Sequence, residues 1–329
     1  MSRSILVTGS AGHLGEALMR TLRAEGRKVV GLDVDASPFT DIVGSIVDRE
    51  VVKRAMADCD VVLHAATLHK PHVATHTRQE FVDTNITGTL NLLEEAAAAG
   101  IRSFVFTSTT SVYGRAMNPP AGAPATWVTE ELTPLPKNIY GVTKLAAEGL
   151  CELFHFKFKL PCVVLRTSRF FPEEDDDADR RARHADANIK ANEFLYRRAD
   201  IEDIVSAHQC AIESADEIGF GRYIISATTP FLRSDCAKLR HDAPALVRHY
   251  VRDYVDEYAR RGWTIPDGLE RVYDNAKARE ELGWEPKYDF SRIVETLKTQ
   301  DDFRSPLARA IGSKGYHDEV FADGPYPID

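Results

Sequence analysis

Short apolar runs alternate with amphipathic stretches through the first half of the chain, and that alternation predicts the architecture. The run Ile5-Leu6-Val7-Thr8 reads as a strand, and 14–22 as an amphipathic helix. A second strand follows at 28–33, a short one near 41–46, and a helix at about 48–57. Asp60-Val61-Val62-Leu63-His64 is apolar without interruption, the pattern of a strand buried on both faces of a parallel sheet. A long helix is expected at 79–99, closed by Gly100 as its C′ residue, and then a strand at 103–107. A loop rich in Pro, Gly and Ala (115–137) leads into a helix at about 138–158 and a strand at 161–166. Repeated strand–helix units of this kind imply an α/β chain with a doubly wound parallel sheet.

The second half changes character. The block 173–184 is charged and aperiodic, which predicts a solvated loop. Residues 201–214 read as a helix and 222–226 as a strand, with further helices at 234–240, 244–261 and 274–282. The division expected is therefore 1–170 as the main domain and 171–329 as a smaller C-terminal substrate-binding lobe, with about 201–228 returning to the main core. The tail, 316–329, is polar, aromatic and proline-containing, and is expected to drape over a surface.

Composition narrows the partners. The 329 residues are 43% hydrophobic and 28% charged, ordinary for a soluble enzyme, and the net charge of -9 disfavours a nucleic-acid surface. No apolar run approaches a membrane span of about 20 residues, and since the sequence opens on a strand, no signal peptide is expected. The five cysteines (59, 151, 162, 210, 236) show no C-x-x-C spacing and read as reduced, mostly buried thiols, so a cytoplasmic location is expected.

Candidate chemistry begins where the first strand ends. Gly9, Gly12 and Gly15 follow it at G-x-x-G-x-x-G spacing and open a helix, the arrangement that brings a pyrophosphate against bare backbone N–H groups in a Rossmann-type fold. Asp33 lies 18 residues beyond Gly15, at the end of the second strand. Alone it would merely start a turn; after the glycine turn it accepts from the ribose hydroxyls of NAD and repels the extra phosphate of NADP. Tyr140 and Lys144 stand at i and i+4 near the start of a helix, so the ammonium is expected beside the phenol, lowering its pKa towards that of a working general base. Thr107, Ser108, Thr109, Thr110 and Ser111 crowd the end of a central strand, some for turn chemistry and one to hold a substrate oxygen. His69, Lys70, His72 and His76 follow the fourth strand. Pro71 sits among them and no helix fixes them, so no metal is expected, and the loop is either exposed or touches substrate.

Together these segments resemble the extended short-chain dehydrogenase/reductases, in their NAD-dependent epimerase/dehydratase group. The likeness runs over 5–166 and resumes at 274–286, where Asp274-Asn275-Ala276-Lys277 leads to Leu282-Gly283-Trp284. The resemblance implies Tyr140 as general base or acid, Lys144 as its tuner and a ribose ligand, and Thr109 as the catalytic hydroxyl. It further implies cofactor contacts from His13 and Leu14 at the glycine turn, from Leu63, Ala65 and Ala66, and from Thr107 and Ser108, with Asn85 close to the site. Ser45-Ile46 stands where an Asp-apolar pair touches the adenine, so one carboxylate contact is missing. A homodimer through helices 79–99 and 139–158 is also implied.

The departures bear on substrate. Thr110-Ser111 replaces the Asp-Glu pair of the nucleotide-sugar dehydratases, which argues against dehydration. Arg169 replaces the Asn that holds a diphosphate in sugar-nucleotide epimerases, and the stretch from Pro172 to Asp200 is about half the usual length. The expectation is thus hydride transfer at a secondary alcohol of a sugar or sugar-nucleotide-like molecule, with His69, Thr109, Thr110 and Arg169 as substrate contacts. A simple dehydrogenase of a non-nucleotide carbinol is the alternative. A non-catalytic NAD sensor is remoter, because Tyr140 and Lys144 are both present.

Overall fold

The computed structural model describes residues 4–315 and 321; the tail expected to drape over a surface lies almost entirely outside the described residues. Its centre is a seven-stranded sheet of β1 (Ser4–Thr8), β2 (Val29–Asp33), β3 (Ile42–Val43), β4 (Cys59–His64), β5 (Ser103–Thr109), β7 (Cys162–Thr167) and β8 (Phe220–Ile225). The order is β3-β2-β1-β4-β5-β7-β8, with every pairing parallel. Winding reverses between β1 and β4, so their C-terminal ends frame the crevice where open α/β sheets bind ligands. β6 (Thr126–Val128) and β9 (Arg271–Tyr273) form a separate parallel pair.

Alternate residues of each strand feed two cores. Ile5, Val7, Val105 and Leu165 face helices α1 (His13–Ala24) and α8 (Ile201–Ile218), together with Trp284. Leu6, Val62, Phe104 and Val164 face α2 (Arg49–Met56), α4 (Gly88–Ala99) and α5 (Ile139–Phe158). A further core, including Leu195, Leu239, Val247, Tyr258 and Phe290, belongs to the lobe. Its helices are tied to the sheet layer through Asp203, whose carboxylate accepts from Lys287 N (2.8 Å) and Tyr288 N (2.9 Å). Helix starts follow local chemistry: Asp48 accepts from Glu50 N (3.0 Å), and Asn138 from Gly141 N (3.1 Å). Gly100 closes α4 with φ 67°, the left-handed conformation that glycine adopts at no steric cost.

Several segments differ from expectation. The helix expected at 79–99 is interrupted: α3 (Arg78–Val82) passes through one wide turn, Asp83–Thr87, before α4 begins. That turn swings Asn85 inward. The helix expected at 244–261 breaks into Ala243–Tyr250 and Tyr254–Arg261. The charged block 173–184 is not a fully solvated loop. It contains α6 (Ala178–Arg183), which precedes α7 (Asp186–Glu193), and Asp175 is only 2% exposed. Arg169 and Arg197 draw Asp175 inward, at 2.8 and 3.0 Å, so that end of the block joins a buried ion cluster, while α6 has no buried residue.

Candidate active site

A cleft of about 1190 Å³ runs along the C-terminal ends of β1, β2, β4 and β5. At one end lies the glycine turn. Gly9 has φ 74°, and a Cβ on it would fall 2.7 Å from Ala66 N; a Cβ on Gly15 would fall 1.8 Å from Gly9 O. Both positions therefore exclude a side chain, while Gly12 caps α1 and leaves its first N–H groups facing the cleft. Asp33 Oδ2 accepts from Ala11 N (2.8 Å) and Oδ1 from Asp35 N (3.1 Å), fixing the carboxylate at the cleft wall with acceptor capacity left. These features fit a dinucleotide: a bare helix N-terminus for the pyrophosphate and a held carboxylate for the ribose. Changing Asp33 to Asn is expected to weaken NAD binding about ten- to a hundredfold, the worth of hydrogen bonds to a charged group, and to narrow discrimination against NADP. Titration of bound-NADH fluorescence measures both.

The other residues expected to touch the cofactor divide. His13, Leu14, Ser45, Ile46, Ala65, Ala66, Thr107 and Ser108 line the cleft. Gly88 makes room for Ile46, since a Cβ there would lie 2.6 Å from its side chain. Leu63 does not line the cleft: its side chain is fully buried in the core between sheet and helices, inside β4 and two residues short of Ala65, which shares its face and does reach the cleft. Asn85 does not line the cleft either; it braces it. Its Oδ1 accepts from Leu68 N and Thr67 Oγ1 (both 2.9 Å), and its Nδ2 donates to Leu68 O (2.9 Å) and Thr143 Oγ1 (3.0 Å). A proton-ordered chain lies behind it. Thr89 donates to Asn85 O (2.7 Å), so its oxygen accepts from His64 Nε2 (2.9 Å), and His64 Nδ1 accepts from Thr8 (2.8 Å). Burial, and next the Lys144 charge, hold His64 well below the ordinary histidine range, consistent with a neutral ring.

Thr109, Thr110 and Tyr140 meet at the other end of the cleft. Thr109 ends β5, and Tyr140 stands in the first turn of α5. The hydroxyl cluster is partly committed: Thr107 donates to His208 Nε2 (2.8 Å), Ser108 to Glu148 Oε1 (2.6 Å), and Thr109 Oγ1 accepts from Ser111 N (3.1 Å). His208 is pushed down to about 4 by burial.

The expected lowering of the phenol is corrected. Burial pushes Tyr140 up to about 12, and the neighbouring Thr109 hydroxyl pulls the other way. Lys144 lies one turn behind, 2% exposed and off the cleft wall, its Nζ 4.0 Å from the centroid of Phe106. Burial lowers its ammonium to about 7, against the weaker pull of Cys151 and Glu148; the Phe106 face offsets part of that cost. A folded pKa below the unfolded value of 10.5 means that the unfolded chain binds the extra proton between about pH 7 and 10.5. Stability should therefore rise with pH across that window. Lys144→Met is expected to flatten the slope and raise the melting midpoint at pH 7, by roughly 1–2 °C per kcal/mol recovered in a chain of this size. Melting curves of both proteins from pH 7 to about 10 test the sign.

Behind the hydroxyl cluster is a network that sequence reading missed. Glu148, fully buried, pairs with Arg166 (2.7 Å), and Arg166 Nη1 donates to Tyr113 Oη (2.8 Å). It ties β5, which carries Thr109, and α5, which carries Tyr140, to β7, which carries Arg166. The signal available was Glu148, two turns beyond Tyr140, but nothing in the sequence paired it with Arg166.

Towards the lobe, His69, Lys70, His72, Arg169, Arg197, Arg271 and Tyr273 complete the walls. The loop after β4 is a short helical turn, Lys70–Ala74, with the His69 and His72 rings edge to face at 4.4 Å. Among the described residues no group of three or more His, Cys, Asp or Glu could hold a metal ion. Arg169 reaches the cleft, but its guanidinium is taken by Asp175 (2.8 Å) and Glu193 (3.4 Å). Lys314 also reaches the cleft, from a C-terminal segment tied to Glu173 by Ser313 Oγ (2.8 Å), and it pairs with Glu16. No helix among the described residues is long and apolar enough to cross a membrane, and all five cysteines are free.

Comparison with known proteins agrees with this geometry. A model of the NAD dependent epimerase/dehydratase family matches residues 5–225. A UDP-glucose 4-epimerase of Rhizobium meliloti is 28% identical over 90% of this chain and 96% of its own. A short-chain dehydrogenase/reductase superfamily protein from Agrobacterium tumefaciens, solved with bound NAD, superposes with a TM-score of 0.64 at 26% identity, covering 93% of this chain and 99% of that one. UDP-glucose 4-epimerase from Thermotoga maritima, solved with UDP-glucose, shares the fold at 24% identity and a TM-score of 0.61, covering 90% of this chain and 98% of its own. The chain belongs to the NAD dependent epimerase/dehydratase family and is an NAD-dependent enzyme of the extended short-chain dehydrogenase/reductase type.

Proposed function

We propose that the protein transfers a hydride at a secondary alcohol of a sugar or sugar-nucleotide-like substrate. The observation that carries this reading is the meeting of Thr109 and Tyr140 in one cleft with the glycine turn and Asp33. Bound NAD supplies the hydride acceptor. Thr109 holds the carbinol oxygen, and the Tyr140 oxygen receives its proton as the C–H bond breaks. Lys144, one turn behind and buried against Phe106, steadies the phenolate charge that forms; the ribose contact implied by the resemblance would require its side chain to turn out into the cleft. The Asn85 bridge keeps the loop after β4 locked to α5, so the two sides of the cleft keep their spacing. In an epimerase the ketone turns over and is reduced on its other face; in a dehydrogenase it leaves.

The UDP-sugar epimerases among the relatives support the first outcome. A second reading, net oxidation of a non-nucleotide carbinol, draws on Arg169, whose charge Asp175 and Glu193 already satisfy at the position expected to meet a diphosphate. Incubation with NAD and UDP-glucose, and separately with free sugars and uronic acids, distinguishes them. Conversion of UDP-glucose without NADH absorbance supports epimerisation; stoichiometric NADH with a free sugar or uronate supports the second reading. Binding of NAD with neither reaction across the panel would count against both.

The same reading includes a homodimer through α4 and α5. Val142, Leu153 and Phe156 are exposed on α5, Phe156 by 74%, and Gly149 falls on the same stripe. Leu153→Glu with Phe156→Glu is expected to halve the mass seen by light scattering. A wild-type protein already at monomer mass would overturn the dimer.

A further inference from the structure

The basic side chains that face the cleft differ in whether their charge is already met. Lys70 pairs with Asp176, Arg169 and Arg197 with Asp175 and Glu193, and Lys314 with Glu16. Arg271 and Lys137 also line the cleft, yet neither forms an ion pair with any described residue. Arg271 Nη1 donates to Asn118 Oδ1 at 3.3 Å, and its Nε is buried without a hydrogen-bond partner. A buried donor with no acceptor costs free energy that an incoming acceptor would relieve.

The acids beside Arg271 are turned elsewhere. Glu270 faces Arg240 (3.6 Å), and Asp274 accepts from Trp127 Nε1 and Ala276 N (both 2.9 Å). The backbone around the arginine is fixed, because β9 pairs with β6 and the Tyr273 hydroxyl donates to Met117 Sδ (3.3 Å). Asn118 and Met117 lie just after the hydroxyl cluster of β5, and Lys137 lies three residues before Tyr140. Both cations therefore belong to the catalytic end of the cleft and not to the end held by Asp33.

We propose that Arg271, seconded by Lys137, anchors an anionic group of the substrate, a carboxylate or a phosphate, while the carbinol stands at Thr109 and Tyr140. This rests on the hydride-transfer reading for what stands at Tyr140. Arginine suits the task because its planar fork meets two oxygens of either anion at once. It moves the anion site from Arg169, which is already neutralised, to a guanidinium that is not.

The test is calorimetric binding to the NAD-loaded protein of three probes: UDP-glucose as the phosphate source, glucuronate as the carboxylate source, and glucose as the neutral control. At least one anion is expected to bind the wild type about tenfold or more tighter than glucose, the scale of a charged hydrogen-bonded pair. Arg271→Met should lose that margin, Lys137→Met part of it, and Arg271→Lys should restore part, with NAD affinity and melting temperature unchanged throughout. Whichever anion shows the loss identifies the source. The proposal is overturned if neither anion binds Arg271→Met more weakly than wild type, a result that includes no binding of either, or if glucose loses as much. Turnover unchanged in Tyr140→Phe would instead sink the hydride-transfer reading and leave the binding result standing.

Discussion

Replacing Tyr140 with Phe is expected to lower the turnover number by about 10²–10⁴-fold, the usual worth of a positioned general acid–base. The change removes one oxygen and keeps the ring, so packing at this buried site is preserved. NAD affinity should stay within about threefold of wild type and the melting temperature should hold, since the lost group makes its largest contribution in the transition state. Burial sets Tyr140 at about 12, so the wild-type rate of alcohol oxidation should climb as pH rises towards that value, because the base form is the minor one at neutral pH. That climb should vanish in the variant. Steady-state rates across pH, with NADH absorbance or product analysis as readout, decide it, and an unchanged profile would remove Tyr140 from the chemistry.

Removing Glu148 should be the most damaging single change to the fold at this site. Glu148→Ala leaves Arg166 as a buried charge whose principal partner is gone, and breaking such a pair by one side costs about 3–5 kcal/mol. Glu148 is fully buried and Arg166 is 3% exposed, so solvent cannot make good the loss. The same carboxylate accepts from Ser108 Oγ and lies 3.3 Å from Arg222, so its removal also unsettles the strand end that carries Thr109. Denaturant unfolding should show the midpoint falling with little change in slope. Glu148→Gln, which keeps the shape and one acceptor oxygen, should fall less. Equal stability of Glu148→Ala and wild type would mean that water replaces the carboxylate at no cost.

Much of the cofactor half was legible from local chemistry. The glycine turn, Asp33 and the start of α5 are each written within a few residues, because backbone conformation, helix capping and strand burial depend mainly on near neighbours. Tyr140 and Lys144 were readable for the same reason, since one helix sets their spacing. Their electrostatics were not: spacing put a cation beside the phenol, whereas burial raises the one group and lowers the other. Leu63 was misplaced because only the rim of the sheet meets the cleft, and Leu63 lies deeper in β4 than Ala65, which follows it on the same face. Asp175 and its neighbours read as solvated charge because their arginine partners lie 6 and 22 residues away in sequence.

The order of elements, the parallel sheet and the dinucleotide turn were thus determined by the chain's own periodicity and by glycines where a Cβ would collide with backbone. Which charges are spent and which remain open was decided only by tertiary packing. Arg169 and Arg271 are alike in sequence, yet one is neutralised by Asp175 and Glu193 and the other bonds only an amide oxygen. Coulomb attraction and desolvation depend on distance in space and not along the chain, so the substrate end of the cleft took shape only once α7, β9 and the loop after β5 had been folded against one another.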